Sequence, residues 1–147
     1  MRLVIAAWTP GEPKTKGSME ARPGGGMRES VVGSSRWKAL MRDAMATAAA
    51  RNPDFRPVPE DVAVRIDVTV YIRRPGGKTG APPAPSAGRI GDLDKLVRNA
   101  GDAGTEAGIW VDDVQVTDLG HTKKRWAGER GPGLLIVVYE LGEGDLT

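Results

Sequence analysis

Cysteine is absent from this 147-residue chain, and histidine occurs once, at His121. Disulfides, thiolate zinc sites and a cysteine nucleophile are thereby excluded. Histidine-based catalysis would hang on one residue with no motif around it. No apolar run is long enough to span a bilayer. The stretch 3–8 behind Met1-Arg2 is too short for a signal sequence and reads as a first strand, so the expectation is a cytoplasmic protein without a membrane partner. A surplus of either charge is lacking too: 21 Lys+Arg against 19 Asp+Glu leave +2, so global charge announces no polyanion. A phosphate loop is missing as well. Lys16-Gly17-Ser18 runs in the wrong order for a Walker A motif, and Gly24-Gly25-Gly26 leads into Met27 rather than a phosphate-binding helix, which excludes a nucleotide cofactor. The length suits one domain, 1–147, with a modest core.

Within that frame the elements can be placed in order. Residues 9–26 are rich in Pro, Gly, Lys and Arg and predict a long flexible loop, followed by a short strand over 27–32. Ser34 or Ser35 is the expected N-cap of a helix whose stripe is Trp37, Leu40, Met41, Ala44, Met45 and Ala48, ended by Asn52-Pro53. Val62, Val64, Ile66, Val68, Val70 and Ile72 alternate with Ala63, Arg65, Asp67, Thr69 and Tyr71, the strongest strand signal in the chain. A Pro/Gly-rich flexible loop over 74–91, a second helix, two further strands and a frayed tail over 142–147 complete the order. The expectation is an α+β two-layer domain, with a mixed β-sheet and two main helices on one face.

Acid is concentrated between Gly91 and Asp118. Asp92 and Asp94 open a helical pattern in which Leu96, Val97, Ala100, Ala103, Gly104 and Ala107 recur at three- and four-residue intervals. Asp94, Arg98 and Asp102 fall on one stripe of that helix. After Gly108 an extended run, 110–118, carries Asp112 and Asp113 near its start. If the loop folds back so that the two heads meet, four carboxylates form an oxygen-only site for a hard cation, Mg²⁺ or Mn²⁺. Arg98, one turn below Asp94, is placed to meet a phosphate oxygen bidentately. An EF-hand loop from Asp92 is excluded, because Val97 and Ala103 stand where it needs Gly and Glu. Alternation along an extended strand sends Asp112 and Asp113 to opposite faces, with Asp113 beside Gln115 on the more polar one. Asp113 is therefore the first choice of ligand and Asp112 the second. Basic residues, among them Lys14, Lys16, Arg73, Arg74, Lys123, Lys124 and Arg125, fall in loops or at element ends. If those loops converge on the acidic site they make a groove for nucleic acid.

The run D-L-D-K-L-V-R…D-A…G-I-W-V-D-D-V-Q-V, with P-G-E-P-K-T-K-G-S-M near the start, resembles the RusA family of Holliday junction resolvases. The resemblance implies a RusA-like fold and a homodimeric, Mg²⁺-dependent endodeoxyribonuclease, bacterial or phage-encoded, that cuts four-way DNA junctions with paired nicks. It puts Asp92, Asp94 and Asp113 on the family's metal-binding carboxylates, and matches Asp112 and Asp102 to further acidic positions. Arg98 stands where the family usually has a catalytic lysine, and Lys95 where Asn is common. Lys14, Lys16, Arg73, Arg74, Lys95, Lys123, Lys124 and Arg125 are the expected DNA contacts. Two other functions fit the same residues: a Mg²⁺-dependent nuclease for other branched DNA, and a junction-binding protein that does not cut.

Overall fold

A computed structural model describes residues 1–16, 19–29, 33–74 and 92–147, with only the backbone given for 19–21 and 27–29. Most of the expected 74–91 loop, and residues 30–32 of the expected third-decade strand, lie outside the described residues. The observed order is β1 (Arg2–Pro10), β2 (Met19–Ala21), β3 (Met27–Glu29), α1 (Ser34–Arg51), β4 (Val64–Ile72), α2 (Leu93–Glu106), β5 (Val116–Leu119), β6 (Lys123–Trp126) and β7 (Gly133–Glu140). Five of these strands make one mixed sheet. β7 lies antiparallel between β1 and β4, and β5 and β6 both run parallel to β4 along its other edge. The fold class is the α+β one expected from the sequence.

Alternation along the strands decides which face is covered. Val64, Ile66, Val68, Val70 and Ile72 of β4, with Leu134, Ile136 and Val138 of β7, are buried. They pack in one cluster with Trp37, Met41, Met45 and Ala49 of α1 and Leu96, Val97, Ala100 and Ala103 of α2. Burying a side chain of this size contributes about 1.5–3 kcal/mol, so the covered face carries most of the apolar drive. The opposite face shows Arg65, Asp67, Tyr71, Leu135, Val137 and Tyr139, all half-buried.

Several boundaries differ from the sequence expectation for identifiable reasons. The first strand runs through Thr9 to Pro10, because β7 supplies pairing partners as far as Gly133. The expected loop over 9–26 is interrupted by the β2–β3 hairpin. Its first part, 11–16, is fixed: Gly11 donates to the Pro132 carbonyl and Lys16 to the Lys95 carbonyl. Gly33, not a serine, occupies the N-cap of α1, without a side-chain cap; the Ser34 hydroxyl instead donates to the Thr15 carbonyl at 2.8 Å. Leu40 of the expected α1 stripe is exposed, since the contact line narrows to the i, i+4 set Trp37, Met41, Met45 and Ala49. The tail forms a 3₁₀ turn, Glu143–Asp145, in which the Asp145 carboxylate accepts from the Gly142 N–H and meets the Met1 ammonium at 3.0 Å.

Candidate active site

Helix α2 begins directly at Asp92, which takes the N-cap position with extended backbone and no side-chain cap bond. A carboxylate there and at Asp94 suits the positive end of the helix dipole. Both remain exposed, and Asp92 has Lys95 at 3.8 Å. Arg98, one turn on from Asp94, is exposed too. Asp102, a further turn along, is half-buried and holds the Lys16 ammonium at 2.7 Å.

Residues 13–16 lie across this helix as a strap. Asn99, 1% exposed on the inner side of α2, donates to the Lys14 carbonyl at 3.1 Å and lies 3.4 Å from the Ser34 hydroxyl. Ser34 in turn holds Thr15. An amide buried in this setting needs its partners, because leaving it unpaired costs about 1–3 kcal/mol. The strap therefore sets Lys16 on the acidic stripe. Lys14 and Lys16, expected in a flexible loop, are instead part of a fixed surface.

The Asp112-Asp113 pair does not start a strand. Val111 to Gln115 fold into a 3₁₀ turn, Asp113–Gln115, whose N-cap is Asp112. The Asp112 carboxylate accepts from the Val114 N–H, and the Gln115 side chain accepts from the Val111 and Asp112 N–H groups. Gln115 also donates to the Pro59 and Val62 carbonyls at 2.7 and 3.0 Å. Strand alternation thus fails for this pair, and the two carboxyls lie within hydrogen-bonding reach of each other. The turn rests on α2 at Gly101, where a Cβ would stand 4.0 Å from that of Asp113. Behind it, Gly104 makes room for the buried Trp110 indole, which donates to the Thr105 hydroxyl at 2.9 Å.

The electrostatics follow from this packing. Partial burial against α2, the hydrogen bond with Asp112 and the charge of Asp102 hold the Asp113 carboxyl above its ordinary value. Asp113 still has one side open to solvent, so burial is only part of the cause. The Val114 N–H holds the Asp112 carboxyl below its ordinary value, and Asp113 adds to that.

The geometry thus sets Asp113 beside both Asp112 and Asp102, with Lys16 on Asp102. Asp92 and Asp94 stay at the helix head, and Asp94 and Asp102 are eight positions apart along the helix, about 12 Å at 1.5 Å per residue. Among the described residues, no three carboxylate or histidine side chains stand close enough to share a metal ion. Lys123 and Arg125 pair with Thr69 and Tyr71, and Lys124 with Val70; β6 therefore divides the expected basic triplet between the two faces of the sheet. Arg73 is exposed and bonded to Glu12 at 3.0 Å. The residues that sequence reasoning missed are Asn99, Ser34 and the anchoring role of Gln115. Asn99 left one signal, an amide amid the apolar positions of α2.

An α+β domain that lines one helix with carboxylates and an arginine, and straps two lysines across it, is equipped to act on a phosphodiester. A family model described as Endodeoxyribonuclease RusA matches residues 10–139, and the chain belongs to that family. It is an endodeoxyribonuclease of the kind that resolves Holliday junctions; the family binds branched DNA and depends on a divalent metal. No curated protein matches the chain. No helix among the described residues is long and apolar enough to cross a membrane.

Proposed function

We propose that the chain resolves four-way DNA junctions as a Mg²⁺-dependent, homodimeric nuclease, acting on bacterial or phage DNA in the cytoplasm, with Asp92, Asp94 and Asp113 as metal ligands and Asp112 as an auxiliary one. The observation that carries this reading is the acidic stripe Asp94–Asp102 of α2, met by the Asp112-Asp113 turn and flanked by Arg98 and Lys16. The donor set fits the ion: carboxylates are hard oxygen ligands, and the chain offers no thiolate and a single, exposed histidine. The crowding that raises the Asp113 carboxyl is relieved by a nearby cation. Because Asp92 and Asp94 stand up the helix from Asp113, the proposal requires the ligand set to close when ion and DNA are both present.

When bound, Mg²⁺ supplies an activated water and covers charge on phosphate oxygens. The protein's own groups do the rest. Arg98, always charged, takes the scissile phosphate in a bidentate grip. Lys14, Lys16, Arg73, Arg74, Lys95, Lys123, Lys124 and Arg125 neutralise flanking phosphates, which fixes position without reading sequence. Paired nicks across a symmetric junction call for two copies of the site, hence a twofold dimer of single-domain protomers.

Synthetic four-way junctions, flaps and plain duplex, each incubated with and without Mg²⁺, test the reading. Mg²⁺-dependent paired nicks in the four-way junction are expected from the native chain, and Asp94→Asn should bind the junction without cutting it. An Asp94→Asn variant that nicks at a near-native rate removes this ligand assignment; cutting restricted to flaps replaces the substrate.

A further inference from the structure

The sheet face turned away from the helices carries a second group of cations, next to aromatic rings rather than carboxylates. Trp8 of β1 and Tyr71 of β4 meet edge to face across the intervening strand β7, with ring centroids 5.7 Å apart and planes at 64°. They can do so because the residue between them is Gly133, opposite Pro10 and Tyr71; any side chain there would overlap the Trp8 ring. The guanidinium of Arg130, on the exposed turn before β7, lies over the Trp8 ring with Cζ 4.3 Å from its centroid. Arg125 is in register with Tyr71 on the far side, and Lys123 one step away with Thr69. None of the ion pairs among the described residues uses Arg130, Arg125 or Lys123. At the other end of the same face the comparable cation, Arg65 above Tyr139, is held by Asp67 at 2.9 Å. Among the described residues, the cations of this face that have no carboxylate partner therefore lie at the Trp8 end, where the Arg125 guanidinium also donates to the Lys124 carbonyl at 2.8 Å.

We propose that Arg130, Trp8 and Tyr71, with Arg125 and Lys123 alongside, form a stacking shelf for unpaired nucleotides of the DNA substrate. Trp8 holds the guanidinium by a cation–π contact and so presents its outer face as a plane. A base stacks on such a plane only when it has left its own duplex, as bases splayed from a branch point have. Arg125 and Lys123 are spaced along the same face to meet the phosphates that follow. The occupant is nucleic acid because the shelf combines flat rings with unneutralised cations; an apolar protein partner would leave those charges buried and unpaired. The inference rests on the DNA-binding reading but not on the metal ligands.

Tryptophan emission of the native chain, titrated at fixed salt with a short oligothymidylate and with a duplex of equal length, tests it. Quenching by the single strand well below the concentration needed for duplex is expected, and its loss in Trp8→Phe assigns the signal. Arg130→Ala should weaken single-strand binding roughly tenfold, within the range for one stacked base. Arg130→Lys should weaken it nearly as much, since an ammonium keeps the charge but has no plane. Full affinity in Arg130→Lys would reduce the shelf to an ordinary phosphate contact and overturn the proposal. So would quenching that follows protein concentration alone, which would mean that a second copy covers this face. Four-way junction cleavage is scored in parallel. A chain that stacks oligothymidylate yet never cuts refutes the nuclease reading alone, and one that cuts without Trp8-dependent quenching refutes the shelf alone.

Discussion

Helix α2 can be compared with itself. From Asp92 to Arg98 its charged side chains stand in solvent, with one long contact from Asp92 to Lys95. From Asn99 to Glu106 it is pinned on every side: Asn99 by the strap, Gly101 by the 3₁₀ turn, Asp102 by Lys16, Gly104 and Thr105 by Trp110. Apart from Leu96 and Val97, which pack in the core, the first half holds little that the fold needs, and the second half holds little that could leave its place. Among the described residues Asp94 and Arg98 have no ion-pair partner, and the helix head can carry them because the rest of the helix is fixed without them.

Substitutions in the two halves should therefore separate activity from stability. The largest effect is expected at the head: Asp92→Asn should lower junction cleavage by more than about a hundredfold, beyond the loss typical of a residue that merely supports a metal ligand. Its thermal midpoint should stay within a degree or two of native, since surface changes of this kind stay within about 0.5 kcal/mol. A midpoint that fell with the activity would erase the contrast. Next comes Gln115→Ala, which strips partners from four backbone groups near the pinned half. It should destabilise by at least about 2 kcal/mol in chemical denaturation, and cleavage should fall as the Asp112-Asp113 turn loosens. Gly104→Ala should destabilise by about 1–3 kcal/mol through overlap with the Trp110 indole, with the metal dependence of cleavage unchanged.

The smallest effect on stability has a size that depends on pH. Because the Asp113 carboxyl is held above its ordinary value, the folded chain binds that proton more tightly than the unfolded one. The advantage is present below the ordinary carboxylate value and is lost as pH rises through the raised one. At neutral pH the ionised group therefore opposes folding. Asp113→Asn should raise the thermal midpoint slightly at neutral pH, with the gain vanishing in acid, while cleavage is lost. A midpoint shift that is the same at every pH would mean that charge is not the cause.

What the sequence made legible follows from range. The faultless alternation of β4 and the apolar period of α2 are local, and both elements appear within two residues of where the pattern puts them. The acidic run in α2 and the cations of the strap were visible as residue types. The turn at Asp112 was not: V-D-D-V-Q-V alternates like a strand, and what breaks it is Gln115 reaching Pro59 and Val62, more than fifty residues upstream. The strap was hidden for the same reason, as Asn99 and Lys14 are 85 residues apart. Periodicity reports neighbours along the chain, whereas these bonds join segments that meet only after folding.

The placement of β7 has a consequence for how this molecule is made. It is the last strand in the sequence, yet it lies between β1 and β4 and supplies every partner that β1 has in the sheet. While the chain is still emerging from the ribosome, β1 has nothing to zip against and β4 has one edge bare. Both are apolar segments, β1 a continuous run and β4 an alternating one, of the sort that pair with whatever edge they meet. The nascent protein must hold these two strands apart until β7 has been made. Chaperone supply and growth temperature should therefore govern its yield more than the stability of the finished sheet does.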